Sequence, residues 1–293
     1  MEFGESYKTA GMKEGIQSSN RFLDSNWFIS VTWGTRSVAR LAAMPPIDID
    51  QAVLIRFGAK WNENNRRLSR SPPYSSLDLG NYIDDTIATA LSQMLGGIPI
   101  RTPTSREALI PPEPDCVEIR NIRIVGGVRP QNFDVCYRPD GVRFASDSKT
   151  LNDTKSVCKN WQNMVNDLAT EATTVHIRFP FAVVAFIVAC PEPCVGDTQR
   201  KAMIETLERL ARRNEIGDPP HMAEAISLIL WNPDNGEIDN QTPAPNSPLR
   251  FESFSKFIET AYVNRYKGLP PHVVEEEAHV EAEEEVEGQT KLT

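Results

Sequence analysis

Residues 130–150 read Pro-Gln-Asn-Phe-Asp-Val-Cys-Tyr-Arg-Pro-Asp-Gly-Val-Arg-Phe-Ala-Ser-Asp-Ser-Lys-Thr. Two strand-forming runs, Phe133–Arg138 and Val142–Lys149, flank the tight turn Pro139-Asp140-Gly141. Proline presets φ, aspartate hydrogen-bonds its own backbone, and glycine tolerates φ > 0, so each residue favours a hairpin there. Successive side chains of a strand alternate faces, which puts Asp147 and Lys149 on the same one. Antiparallel pairing about the turn carries Asp134 towards Asp147, with one ammonium beside both carboxylates. An exposed Asp147–Lys149 ion pair on a surface hairpin is the plain alternative.

Two carboxylates at one strand end repel, and burying them unpaired is costly. A hard divalent cation such as Mg²⁺ resolves the conflict, because it takes a few oxygen ligands and keeps several waters. A lysine beside such a site can orient or deprotonate an attacking water, or stabilise charge on a phosphate. That chemistry suits metal-assisted phosphodiester hydrolysis.

The elements around the hairpin follow in a definite order. Leu77–Leu95 has an apolar stripe of Leu79, Ile83, Ile87, Leu91 and Met94 and is predicted to be a helix ended by Gly96-Gly97. Cys116–Val125 alternates apolar and polar residues as a strand, broken by Gly126-Gly127. A helix over about Thr154–Thr173 follows the hairpin. The run Phe181–Ala189, apolar on both faces, reads as a central strand covered on each side. A helix over Asp197–Asn214, a buried strand over Ala225–Trp231 and a helix over Phe251–Tyr266 complete the body. Residues 98–116 are proline-rich and read as irregular.

Asp134, Asp147 and Lys149, in this order of elements, resemble the PD-(D/E)xK nuclease superfamily over roughly residues 78–232. Phe133 stands where that pattern has its proline, and the literal Pro139-Asp140 falls in the turn. The resemblance implies an α/β restriction-endonuclease-like core: a mixed central β-sheet flanked by helices, with an elaborated N-terminal helical and loop region. It implies Asp134 and Asp147 as metal ligands, Lys149 as the catalytic lysine and Mg²⁺ as cofactor. An acid on the first core helix often joins the metal site in this family. Asp85 or its neighbour Asp84 matches, and Asp85 is taken to complete the site, although acids early in a helix also favour its dipole. The implied activity is that of a type II restriction endonuclease, a homodimer cutting both strands of double-stranded DNA. A structure-selective repair or recombination nuclease on the same core, or a catalytically silent DNA-binding protein, are the alternatives.

The chain divides in this reading into residues 1–76, the core at 77–269 and an acidic tail at 270–293. In the first part, helices are expected over Ser6–Ser19 and 50–62, a buried segment over Trp27–Trp33 and a helix start over Gly34–Ala43. The basic loop with Arg66, Arg67 and Arg70 is the candidate DNA-contacting segment, joined by Lys155 and Lys159 one helical turn apart. Solvated side chains are the alternative for both groups. Gln162 is a further candidate near the site.

The formal net charge of −9 argues against nucleic acid only until it is divided along the chain. Residues 275–293 hold eight glutamates against one lysine, so the remainder is nearly neutral and can hold a local basic cleft. The tail is expected to be disordered or only loosely helical, and either solubilises the chain or competes with DNA for that cleft. Five cysteines at irregular positions fit free thiols in a reducing compartment. Neither a signal peptide nor an apolar run of membrane-spanning length is seen, so a cytoplasmic protein that avoids membranes is expected.

Overall fold

In the computed structural model, which describes residues 41–272, the quoted stretch forms two neighbouring strands of a six-stranded mixed sheet. In chain order the strands are β1 (Ile100–Arg101), β2 (Val117–Val125), β3 (Pro130–Tyr137), β4 (Phe144–Thr150), β5 (Val183–Pro191) and β6 (Ala225–Trp231). They lie side by side in that same order. The β2–β3 and β3–β4 pairs are antiparallel, and the β1–β2, β4–β5 and β5–β6 pairs are parallel. Among the described residues five α-helices accompany the sheet: α1 (Gln51–Glu63), α2 (Ser76–Met94), α3 (Val157–Arg178), α4 (Asp197–Leu210) and α5 (Phe251–Tyr266). The described residues are thus an α/β unit, a mixed sheet flanked by helices.

The apolar patterning explains the layering. Every residue of β5 and β6 is buried, which a strand achieves only when both of its faces are covered. On β4, Ser148 and Thr150 face α2, Thr150 Oγ1 meeting the Ser76 carbonyl at 3.5 Å. Asp147 and Lys149 face Glu171 on α3. Alternate residues of a strand point to opposite faces, so α2 and α3 sandwich β4. A reciprocal cap of Ser75 and Asp78 opens α2, and Gly96 and Gly97, at φ +84° and +78°, close it. Gly126 lets α3 approach the β2–β3 loop, since a Cβ there would lie 2.3 Å from the Thr174 carbonyl oxygen.

Several expectations shift. Helix α3 begins at Val157 and runs on to Arg178. Helix α4 stops at Leu210, because Ala211 bridges to Ala223 and Arg212 turns left-handed at φ +65°. Within 98–116, Ile100 and Arg101 form a short strand on Val117 and Glu118. Leu41–Ala43 is not helical. The segments 1–40, the acidic tail from residue 273 and the side chain of Lys159 lie outside the described residues. Helix α1, placed by the sequence in the elaborated N-terminal region, belongs to the same compact unit as the sheet. Its Leu54, Phe57 and Trp61 enter the common core, and Trp61 Nε1 donates to the Asn152 carbonyl at 2.7 Å.

Candidate active site

Near the turn, β3 and β4 pair regularly: Tyr137 with Phe144, Cys136 with Ala145, Val135 with Ser146. One further step in that register sets Asp134 opposite Asp147, and there the ladder ends. Beyond it the outer half of β3 pairs only with β2, and Asp147–Thr150 pair only with β5. The strands part into a wedge with the two acids at its apex. Lys149, two residues along β4, donates from Nζ to Asp147 Oδ2 and to Glu171 Oε1, the latter at 3.0 Å. Glu171 Oε1 also accepts from Gln131 Nε2 at 3.0 Å.

Asp84 enters from α2 and is 2% exposed. The Ser148 hydroxyl lies beside its carboxylate, but Asp84 Oδ1 and Glu171 Oε2 are each left without a well-formed hydrogen bond. Asp134, Asp147 and Glu171 therefore crowd one ammonium, with Asp84 beside them under the weaker pull of Arg120, and the proton affinities of Asp84, Asp134 and Glu171 respond. Burial, then the Asp147 charge and a proton shared with Asp147, push Asp134 up to about 9. Burial lifts Asp84 to about 7, with Ser148 opposing and the Asp147 charge adding to the rise. Burial and the Asp147 charge raise Glu171 to about 8, against the pull of Lys149. Burial works against the Lys149 ammonium, but Asp147 and Glu171 outweigh it and hold the amine above its usual range.

A cleft of about 470 Å³ on the α2 side reaches the cluster at Asp84 and Asp134 and is lined further by Ser148 and Thr150, with Arg70 and Asn81 at its walls. A larger cleft of about 530 Å³, near Gln51, Glu192 and Asp239, contains none of these groups.

Asp134, Asp147 and Lys149 are thus brought together. Asp85 is not with them: its carboxylate lies 2.7 Å from Arg120 Nη2, half-exposed on the neighbouring face of α2. Asp84 takes the place expected of Asp85, because one residue along a helix turns the side chain by about 100°. Among the expected basic residues, Arg70 reaches the cleft, while Arg66 and Arg67 are exposed in the same loop. That loop is fastened to the chain leaving β4, with Leu68 N–H on Asn152 Oδ1 at 3.2 Å and Thr154 Oγ1 on the Arg66 carbonyl at 2.8 Å. Lys155 is exposed just before α3, and Gln162 is exposed on α3. Glu171 and Gln131 were missed from sequence. The signal for Glu171 was an acid within the apolar stripe Leu168, Ala172 and Val175 of α3.

Among the described residues no three His, Cys, Asp or Glu side chains are arranged as they stand to hold a metal ion, and no helix is long and apolar enough to cross a membrane. Mg²⁺ needs only one or two carboxylates with water completing its shell. Adjoining Asp134 and Asp147, with the orphaned Asp84 oxygen close by, fit that requirement. No protein-family model, curated protein or solved structure matches the chain.

Proposed function

We propose that the wedge is the active site of a metal-dependent phosphodiester hydrolase with a PD-(D/E)xK, restriction-endonuclease-like core. Within that class the reading is a Mg²⁺-dependent endonuclease of double-stranded DNA, working as a homodimer at a specific sequence. One observation carries it: Asp134 and Asp147 oppose each other where β3 and β4 part, with Lys149 beside them.

Asp134 and Asp147 would hold the ion, with Asp84 next to them. Bound there, Mg²⁺ would polarise the phosphate and lower the pKa of a coordinated water. Lys149 stays charged between its carboxylates, so it acts as a donor to the phosphate oxygens and holds the attacking water in line. Glu171 and Gln131 fix where its ammonium sits. Arg70, on the cleft wall, and the exposed Arg66, Arg67 and Lys155 supply backbone-phosphate contacts, which position the duplex without reading its sequence.

Incubating a supercoiled plasmid with the full chain and Mg²⁺ tests this against Asp147→Asn and against EDTA. Discrete fragments from the native chain alone support the sequence-specific enzyme. Smeared products or cutting confined to junctions indicate a structure-selective nuclease. Metal-independent cleavage, or none, removes the hydrolase reading.

A further inference from the structure

The β2–β3 register slips at one place. Ile119 pairs with Val135 and Ile122 with Phe133, so Arg120 and Asn121 together oppose Asp134 alone. Both bulge residues are left-handed, at φ +74° and +52°. That conformation is strained for any residue with a Cβ, and for arginine more than asparagine. An inserted residue bends its strand, increases the local twist and re-aims the side chains around it. Asp134 is also where pairing with β4 stops. Its ladder is thus interrupted on both sides, by a bulge on one and a parting on the other.

The bulge is tied down. Arg120 Nη2 donates to Asp85 Oδ1 at 2.7 Å and to the Asn81 carbonyl at 3.2 Å, both on α2. Arg120 is only a quarter exposed at its side chain. One guanidinium therefore connects the strained turn of β2 to the helix that delivers Asp84.

We propose that the Arg120-Asn121 bulge, clamped to α2 through Asp85, aims Asp134 at Asp147, which makes Arg120 and Asp85 positioning residues for the carboxylate pair. This rests on the ion-binding reading of that pair and extends it to two residues that touch neither ion nor substrate. A bulge with only a local structural role would affect folding and leave cation affinity alone.

Mn²⁺ binding to the full chain, followed by the loss of the free-ion paramagnetic resonance signal, separates these cases without DNA. Arg120→Ala and Asp85→Asn are each expected to weaken Mn²⁺ about tenfold, as loss of supporting residues does at other metal sites. Arg120→Lys, which keeps the charge facing Asp85, recovers part of the loss. Urea unfolding of the same samples gives the folded fraction. Asp85→Asn is isosteric and half-exposed, so it decides the matter if Arg120→Ala fails to fold. Unchanged affinity in Asp85→Asn, or a loss that follows only the folded fraction, overturns the role of the bulge. A native chain that binds no Mn²⁺ overturns the carboxylate site itself, and the clamp with it.

Discussion

Two buried charge clusters lie on the same sheet and are built in opposite ways. At the N-terminal ends of β5 and β6, Glu224 is surrounded by donors. Its Oε1 accepts from Arg213 at 2.9 Å and Arg265 at 2.7 Å, and its Oε2 from the Val184 N–H at 2.7 Å, with His176 Nε2 at 3.2 Å. Burial alone would raise this carboxyl, yet His176, Arg265 and the Val184 N–H outweigh it and bring it below the usual range. In the wedge, Asp134, Asp147 and Glu171 crowd the single ammonium of Lys149 while the positive charge that Asp84 feels is that of Arg120, and Asp84, Asp134 and Glu171 are all raised. The first cluster joins α3, α5 and both strands, and both oxygens of its carboxylate are matched within the chain. The second is short of positive charge, which supports the proposal that it binds a cation. Burial is common to both, and compensation distinguishes structure from function.

The largest expected effect comes from the compensated cluster. Glu224→Leu leaves two guanidiniums buried without their carboxylate and is expected to cost about 3–5 kcal/mol in urea unfolding. Asp134→Asn should go the other way, stabilising the cation-free chain by roughly 0.5–2 kcal/mol while lowering Mg²⁺-dependent plasmid cleavage about a thousandfold. Similar destabilisation in both variants would erase the distinction between the clusters.

The second effect is on pH. An acid raised by folding still holds its proton in the native state where the unfolded chain has lost it. Stability therefore falls as pH climbs from about 4, the ordinary carboxyl value, towards the raised values of the wedge. With Asp84 at about 7, Glu171 at about 8 and Asp134 at about 9, the loss is steepest from about pH 5 to 7, where all three keep protons that the unfolded chain has shed, and it tails off towards pH 9. Without Mg²⁺ the melting temperature is expected to drop by roughly 5 °C over this range. Millimolar Mg²⁺ should offset the drop chiefly at the alkaline end, where the ligands have shed their protons. A flat melting profile, or equal Mg²⁺ stabilisation at pH 6 and 9, breaks the account of the wedge.

The smallest effect concerns the cleft wall. Arg70→Ala should weaken DNA binding to all sequences alike and reduce the salt dependence by about one counterion. Folding stability, measured in parallel, should move by less than about 0.5 kcal/mol. A sequence-selective loss would instead make Arg70 a base-reading residue.

Much of this was legible beforehand where the determinants are local. Turn chemistry at Pro139-Asp140-Gly141 and alternation along both arms brought Asp134 towards Asp147, but the register itself came from the structure: a three-residue turn would set Asp134 against Ser146, whereas the strands end at Tyr137 and resume at Phe144, one residue further on. The unbroken apolar runs of β5 and β6 announced strands covered on both faces. Legibility ended where a side chain's role depends on how one element docks on another. The choice between Asp84 and Asp85 illustrates it: both are plausible at the start of α2, and the Arg120 bulge on β2 claims one of them. Glu171 lies 22 positions beyond Lys149 on a different element, and no local pattern links an acid in the apolar stripe of α3 to that amine. The Arg66–Arg70 loop gains its place only because Asn152 and Thr154 hold it beside the end of β4.

The sequence by itself determined the succession of helices and strands and the approach of two acids across a hairpin, because periodicity and turn geometry act over a few neighbouring residues. Only the tertiary structure decided that β3 and β4 part at those acids, which face of α2 looks into the gap and which carboxylate supports Lys149. Those outcomes depend on helix rotation, strand twist and burial, which are settled by contacts between residues far apart in the chain.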